Sequence, residues 1–245
     1  MTDRLYFAIG NKLKWYCLKT FELEEHVEDH DCRLFTCLQL EDDRVLINTA
    51  IKFNDGTHSQ QSFLYDTSRM ILRREPNLGL IGLQMVNIGP DVFYINGQKC
   101  EKYNIELNEL DSIENLNFNH IKGGSCKYNE SVLVISGINC KEIECLGLNH
   151  YWIQLHSLPV CIFDIACVQI SQEEILCINN KRTYRVNPET GECIGTANLR
   201  VNTDIRPVKK GNFVYCLNYK NELVRYSLTD DKWVNLSRSG CCQIY

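Results

Sequence analysis

Val132-Leu-Val-Ile-Ser-Gly137 is an aliphatic, mostly β-branched run that ends in two small residues, the pattern of a buried strand running into a turn. Five other stretches read the same way: Tyr6-Phe-Ala-Ile-Gly10, Val45-Leu-Ile-Asn48, Val92-Phe-Tyr-Ile-Asn-Gly97, Ile175-Leu-Cys-Ile-Asn-Asn180 and Phe213-Val-Tyr-Cys-Leu-Asn218. Their first residues lie 39, 47, 40, 43 and 38 positions apart. That period suits a four-stranded propeller blade better than a helical solenoid.

A second landmark follows each run, an apolar or aromatic residue with another large apolar residue seven positions later. The pairs are Tyr16 and Leu23, Tyr65 and Leu72, Tyr103 and Leu110, Cys145 and Trp152, and Tyr226 and Trp233. In the remaining repeat Tyr184 is separated from Cys193 by a longer stretch containing Asn187-Pro-Glu-Thr-Gly191. Asp66, Asn104 and Ser227 come directly after the tyrosines, suited to start a turn. The spacing therefore predicts a hairpin of third and fourth strands in every repeat. A third landmark precedes five of the runs: Thr36-Cys-Leu-Gln-Leu40, Gly82-Leu-Gln-Met-Val86, Ser125-Cys-Lys-Tyr128, Ala166-Cys-Val-Gln-Ile170 and Arg206-Pro-Val-Lys209. The sixth such segment, Cys241-Cys-Gln-Ile-Tyr245, ends the chain, while Tyr6 has none before it. The expected fold is all-β, a single six-bladed β-propeller over residues 1–245, closed by the C-terminal strand pairing into the first blade and so free of open sheet edges.

Cys37, Cys126, Cys167 and Cys242 fall at one apparent repeat position, where innermost strands converge and a compact apolar side chain fits. Pro207 suits the same place because an innermost strand has one unpaired backbone side. The chain has fourteen cysteines and no CxxC, so buried reduced thiols are expected rather than a zinc site.

These strand runs and the Tyr and Trp landmarks make the chain resemble the kelch-repeat β-propeller family over essentially its whole length. The family's double glycine after the second strand is replaced by Gly10-Asn11, Asn96-Gly97, Ser136-Gly137 and Asn179-Asn180, and its fourth-strand Trp survives as Trp152 and Trp233. Gly and Asn both tolerate positive φ, so the backbone requirement is met without the doublet.

Composition narrows function. Of 245 residues, 44% are hydrophobic and 23% charged, within the globular range, and the net charge is −5. No global basic field is present to hold nucleic acid. The apolar run Leu5 to Ile9 is too short for a signal-peptide core or a membrane span, so a cytoplasmic protein without membrane association is expected. The six histidines, His26, His30, His58, His120, His150 and His156, sit in no catalytic motif. The acidic and imidazole stretch Glu24 to Asp31 reads as a solvated loop rather than a cation site. His150 and His156 flank Trp152 as packed or surface side chains. Phosphate-loop, HExxH and GxSxG motifs are absent. No catalytic residue, metal or cofactor is expected. The kelch-like copper radical oxidases are a remote alternative, because the tyrosines here fall at repeat positions that call for packing.

A propeller without catalytic residues works as a rigid platform for its loops. The turns between second and third strands and the connections between blades share one face. That face is expected to dock a protein or peptide, with Lys12, Lys181, Arg182, Arg200, Arg206 and Lys220 pairing carboxylates of an acidic segment. The long loop Phe53 to Gln61, carrying His58, Gln60 and Gln61, is expected to contribute to partner contact. The alternative is a structural component of a larger multi-protein assembly, such as a cytoskeletal one, held through apolar side chains on the outer strands.

Overall fold

The computed structural model describes residues 4–9, 12–19, 23–27, 32–40, 44–52, 58–69, 71–75, 84–203 and 206–236. Every element among them is a β-strand. The N-terminal sheet has three strands, β1 (Arg4–Ile9), β2 (Lys12–Cys17) and β3 (Leu23–Val27). Five four-stranded sheets follow in chain order. The second holds β4 (Cys32–Gln39), β5 (Arg44–Lys52), β6 (His58–Asp66) and β7 (Ile71–Glu75), and the third β8 (Gln84–Ile88), β9 (Asp91–Asn96), β10 (Lys99–Asn104) and β11 (Glu109–Ser112). The fourth is built from β12 (Gly124–Tyr128), β13 (Ser131–Gly137), β14 (Cys140–Leu146) and β15 (Trp152–Gln154), and the fifth from β16 (Ile165–Gln169), β17 (Ile175–Asn179), β18 (Thr183–Val186) and β19 (Cys193–Gly195). The last contains β20 (Val208–Lys210), β21 (Phe213–Leu217), β22 (Leu223–Ser227) and β23 (Lys232–Asn235).

Each sheet is an antiparallel meander, and first strands of successive sheets touch along a common axis: β4 with β8, β8 with β12, β12 with β16, β16 with β20. Because strand side chains alternate, each sheet has two buried faces, and the core divides into clusters that each lie between two adjacent sheets. Val92 and Tyr94 pack against Leu46 and Leu64 of the second sheet, while Phe93 and Ile95 pack against Val132 and Val134 of the fourth. One cluster joins the ends of the chain, with Leu5, Phe7 and Tyr16 against Tyr215, Leu217 and Leu223. The Tyr16 hydroxyl also donates to the Asn221 carbonyl, at 3.3 Å. The fold is an all-β propeller. The proposed closing strand, residues 241–245 with Cys242, lies outside the described residues.

The hairpin landmarks fall where the spacing predicts. Tyr16 pairs with Leu23, Tyr65 with Leu72, Tyr103 with Leu110 and Tyr226 with Trp233 across third and fourth strands. Cys145 and Trp152 are offset by one, since Trp152 pairs with Leu146. The polar residue after the tyrosine does start the turn: Asp66 Oδ1 accepts from the amides of Ser68 and Arg69, and Asn104 Oδ1 from those of Glu106 and Leu107. Ser136 (φ 57°) and Gly137 (φ 146°) carry the positive φ expected after the second strand, at a β-bulge.

Three expectations need correction. Cys37 and Cys167 sit opposite Ile47 and Cys177, the third residues of their runs, but Cys126 sits opposite Leu133, a second residue. A one-residue offset turns a side chain to the other face, so Cys126 and Cys167 meet in the same inter-sheet cluster instead of occupying equivalent places. The first and last runs are likewise displaced by one, because Leu5 and Val214, not Tyr6 and Phe213, face the preceding sheet as Val45 does. Finally, Glu24 to Val27 are in β3 rather than a loop, and His58 to Gln61 are in β6, where His58 pairs with Lys52 and Gln60 with Ala50. The described part of the insertion, His58 to Gln61, extends the β5–β6 hairpin.

Candidate functional site: the loop end and axial opening

The turns β13–β14, β17–β18 and β21–β22 and the connections β11–β12, β15–β16 and β19–β20 lie at one end of the propeller, as the meander topology requires. Two of the connections are pinned by tryptophan. Trp152 Nε1 donates to the Glu114 carbonyl at 2.9 Å, and Trp233 Nε1 to the Ala197 carbonyl at 3.2 Å. Each fourth-strand indole thus holds the segment that enters its own sheet.

The 113–123 connection has a further anchor that sequence reading missed. Glu144 on β14 and His120 are both fully buried and lie 2.9 Å apart. Glu144 also accepts from the Asn117 amide (2.9 Å), Asn117 Nδ2 (2.7 Å) and the Phe118 amide (3.0 Å). Burial acts to raise the carboxyl, but the hydrogen bonds from His120, Phe118 and Asn117 outweigh it and hold Glu144 below its ordinary 4.5. His120 Nδ1 faces the Ser136 carbonyl at 2.8 Å. Both ring nitrogens of His120 are thus within hydrogen-bond distance of an oxygen. Cys140 Sγ lies 3.6 Å from Nδ1, an arrangement with the outline of a nucleophile, base and acid. Burial pushes the thiol up to about 12 and Nδ1 is already engaged by Ser136, so Cys140 has no route to a thiolate. The cluster is a structural clamp.

On the same end, Ile121, Ile138, Val160 and Phe163 are exposed apolar residues, each between 43 and 52% exposed. Backbone bonds bring their segments together: the Ile138 amide donates to the Ile121 carbonyl at 2.9 Å, and the Asp164 amide, next to Phe163, to the Lys122 carbonyl at 2.8 Å. Apolar residues inside turns, as at Ile138 after Gly137, are the sequence signal that could have found them.

The predicted cations separate into groups. Lys181 and Arg182 are exposed in the β17–β18 turn, where both amides donate to Asn179 Oδ1. Lys220 is exposed in the β21–β22 turn, its Nζ 5.6 Å from the Tyr219 ring centroid. Arg200 is exposed in the β19–β20 connection, which zips onto that turn through the Val201–Asn218 bridge and the Asn202 amide to the Leu217 carbonyl, 2.8 Å. Arg200 and Lys220 are therefore neighbours by chain path. Lys12 opens β2, opposite Ile9 and Val27. His58 and Gln60 are strand residues of the second sheet.

Arg206 differs from all of these. It is half-buried, and its Nη2 reaches across the axis to Ser125 Oγ of the fourth sheet at 3.4 Å. Desolvation by the surrounding strands lowers its guanidinium to about 10, opposed by the nearby thiols Cys126, Cys167 and Cys37, so it keeps its charge at neutral pH. No described carboxylate lies within ion-pair distance of it. Among the described residues no group of three or more His, Cys, Asp or Glu could hold a metal ion, and no helix is long and apolar enough to cross a membrane.

Fold and site together describe a β-propeller with exposed cations in the turns of its loop end and the half-buried Arg206 among its innermost strands. Among solved structures the chain is similar to YjhT, a kelch-repeat propeller protein, with a TM-score of 0.72 and 7% sequence identity, over 100% of this chain and 95% of that one. At that identity the likeness shows the fold alone. No family model matches the chain, and no curated protein matches it.

Proposed function

We propose that the protein is a non-catalytic interaction module, a cytoplasmic scaffold whose loop end docks a protein or peptide. The observation that carries this reading is the exposure of four apolar residues, Ile121, Ile138, Val160 and Phe163, in turns and connections of that end whose backbones are bonded to one another. Scattered exposed apolar residues are ordinary, whereas adjoining ones rimmed by polar groups mark interaction surfaces. Lys181, Arg182, Arg200 and Lys220 belong to loops of the same end, so the partner that fits presents an apolar anchor beside acidic residues. In this reading the propeller that presents them is six-bladed and of the kelch type; its closing segment, residues 241–245, lies outside the described residues.

Affinity capture from native cells tests the docking surface. The wild-type chain should retain a stoichiometric companion, and the double variant Ile138→Ser with Phe163→Ser should retain at least tenfold less without losing thermal stability. Equal retention by both proteins would sink the reading. A second reading has its own observation: Leu110, Ile153 and Ile194 are exposed on the fourth strands β11, β15 and β19, as contacts through the blade sides of a larger assembly require. Loss of the companion on changing Ile153 and Ile194 to Ser, with the loop-end variant unaffected, selects that alternative.

A further inference from the structure

The β-registers place equivalent residues of the first strands at one tier around the axis. Thr36 sits opposite Asn48, Gln84 opposite Ile95, Gly124 opposite Ile135 and Ala166 opposite Ile178. Val208 sits opposite Tyr215, and continuing that register puts Arg206 opposite Leu217 at the same tier. Among the described side chains of this tier, Gln84, Gly124 and Ala166 carry no charge, and Arg206 supplies a guanidinium. From this tier Arg206 extends to Ser125 Oγ of the fourth sheet, at 3.4 Å.

A guanidinium has five N–H donors, and this one has a single long hydrogen bond to a neutral hydroxyl. The thiols around it are no counter-ions, because burial pushes Cys126 and Cys167 well above the ordinary thiol range. A desolvated, unpaired charge is costly to a fold. An incoming anion recovers that cost. Gln84 at the same tier offers an anion no donor, because its Nε2 already donates to the Gly123 carbonyl and its buried Oε1 is an acceptor.

We propose that the axial opening binds a carboxylate group, held by the fork of Arg206 with Ser125 beside it. One guanidinium matches one carboxylate in charge, and two parallel N–H donors match its two oxygens. A phosphate dianion leaves a surplus negative charge at a tier where the described residues supply no second cation. The carboxylate belongs either to a small free acid or to an acidic side chain of the docked partner; only the second source rests on the interaction reading above.

Saturation-transfer NMR on the full chain tests this, with sodium acetate as one probe and a short peptide containing a single glutamate, its termini blocked, as the other, against chloride at equal ionic strength. The wild type should show saturable binding, Arg206→Met at least tenfold weaker binding, and Arg206→Lys an intermediate loss because the charge stays but the fork goes. Arg69→Met, at an exposed ion pair with Asp66 in a turn at the opposite end, should bind as the wild type does. Acetate binding without peptide binding assigns a free acid, and peptide binding that acetate competes away assigns a partner side chain. Binding of both probes that is indifferent to Arg206, or binding of neither, overturns the proposal. Because Ile138 and Phe163 take no part in acetate binding, the patch variants can fail in partner capture while this site stands, and the reverse.

Discussion

The connections that enter the fourth and the last sheets cross the same end of the propeller, each pinned by an indole, and each associated with a desolvated charge. They treat the charge differently. Glu144, beneath residues 113–123, accepts four hydrogen bonds from three residues of that connection. Arg206, at the end of the other connection, makes one contact at 3.4 Å with an uncharged group. A buried charge with every position filled closes a structure, and one with most positions open is poised to accept a ligand. The contrast is what separates a clamp from a site when both look, by burial alone, like perturbed ionisable groups.

The clamp side of the comparison is the easier to break. Glu144→Ala leaves His120 and two amides of the connection without their acceptor, and removal of one member of a buried pair costs about 3–5 kcal/mol. Urea denaturation should show the loss, with Glu144→Gln costing less because it keeps an acceptor. The acid limb has a definite sign. Glu144 is held below 4.5 in the folded state, so its contribution is fully present above about pH 4.5 and is lost as pH falls through the lower folded value. The wild type should therefore converge on Glu144→Gln below that pH; parallel curves would show that the carboxylate is not what the connection reads.

Crowding at the axis gives a second, smaller effect that sharpens the ligand side. A Cβ on Gly124 would stand 2.3 Å from Cys167 Sγ and 3.0 Å from Ile165 Cγ1. Gly124→Ala should cost about 1–3 kcal/mol through overpacking, and Cys167→Ala in the same chain should recover much of it. Additive losses in that double-mutant cycle would mean that Gly124 and Cys167 are not packed against one another. Smaller still is the indole pin: Trp152→Phe keeps most of the packing and loses one hydrogen bond, about 1 kcal/mol, with faster amide exchange confined to residues near Glu114.

Much of this was written in the chain. The strand runs, the Tyr-to-Trp spacing and the turn-starting Asp66 and Asn104 are local features with a fixed offset, so counting residues is enough to find them. Register is not local. The Cys126 offset and the one-residue displacement of the runs at Tyr6 and Phe213 depend on which face a strand presents, and alternating side chains make every shift by one a change of face. The Phe53 to Gln61 stretch looked like loop because His, Ser and Gln carry no strand signal, yet pairing with β5 suffices to extend β6 through His58. Of the site, the cations were legible as charges in turns. That Arg206 stands apart from Lys181, Arg182 and Lys220 was not, because only the tier shared with Thr36, Gln84, Gly124 and Ala166 shows that it faces the axis.

The smallest expected change in stability is the one that decides the comparison. If Arg206 is a charge kept for a ligand, Arg206→Met removes an unpaired cation from a desolvated place and replaces it with a flexible apolar side chain that can lie against the Cys126 and Cys167 thiols. The desolvation penalty then disappears with the charge, and the midpoint of urea denaturation should stay within about 0.5 kcal/mol of the wild type or rise. If Arg206 instead ties the last sheet to the fourth through Ser125, the same change should cost 2 kcal/mol or more, in the direction of Glu144→Ala. Ser125→Ala separates the two cases again: a crosslink loses its acceptor and weakens in step with Arg206→Met, whereas a ligand site keeps its stability and loses only part of its grip on acetate.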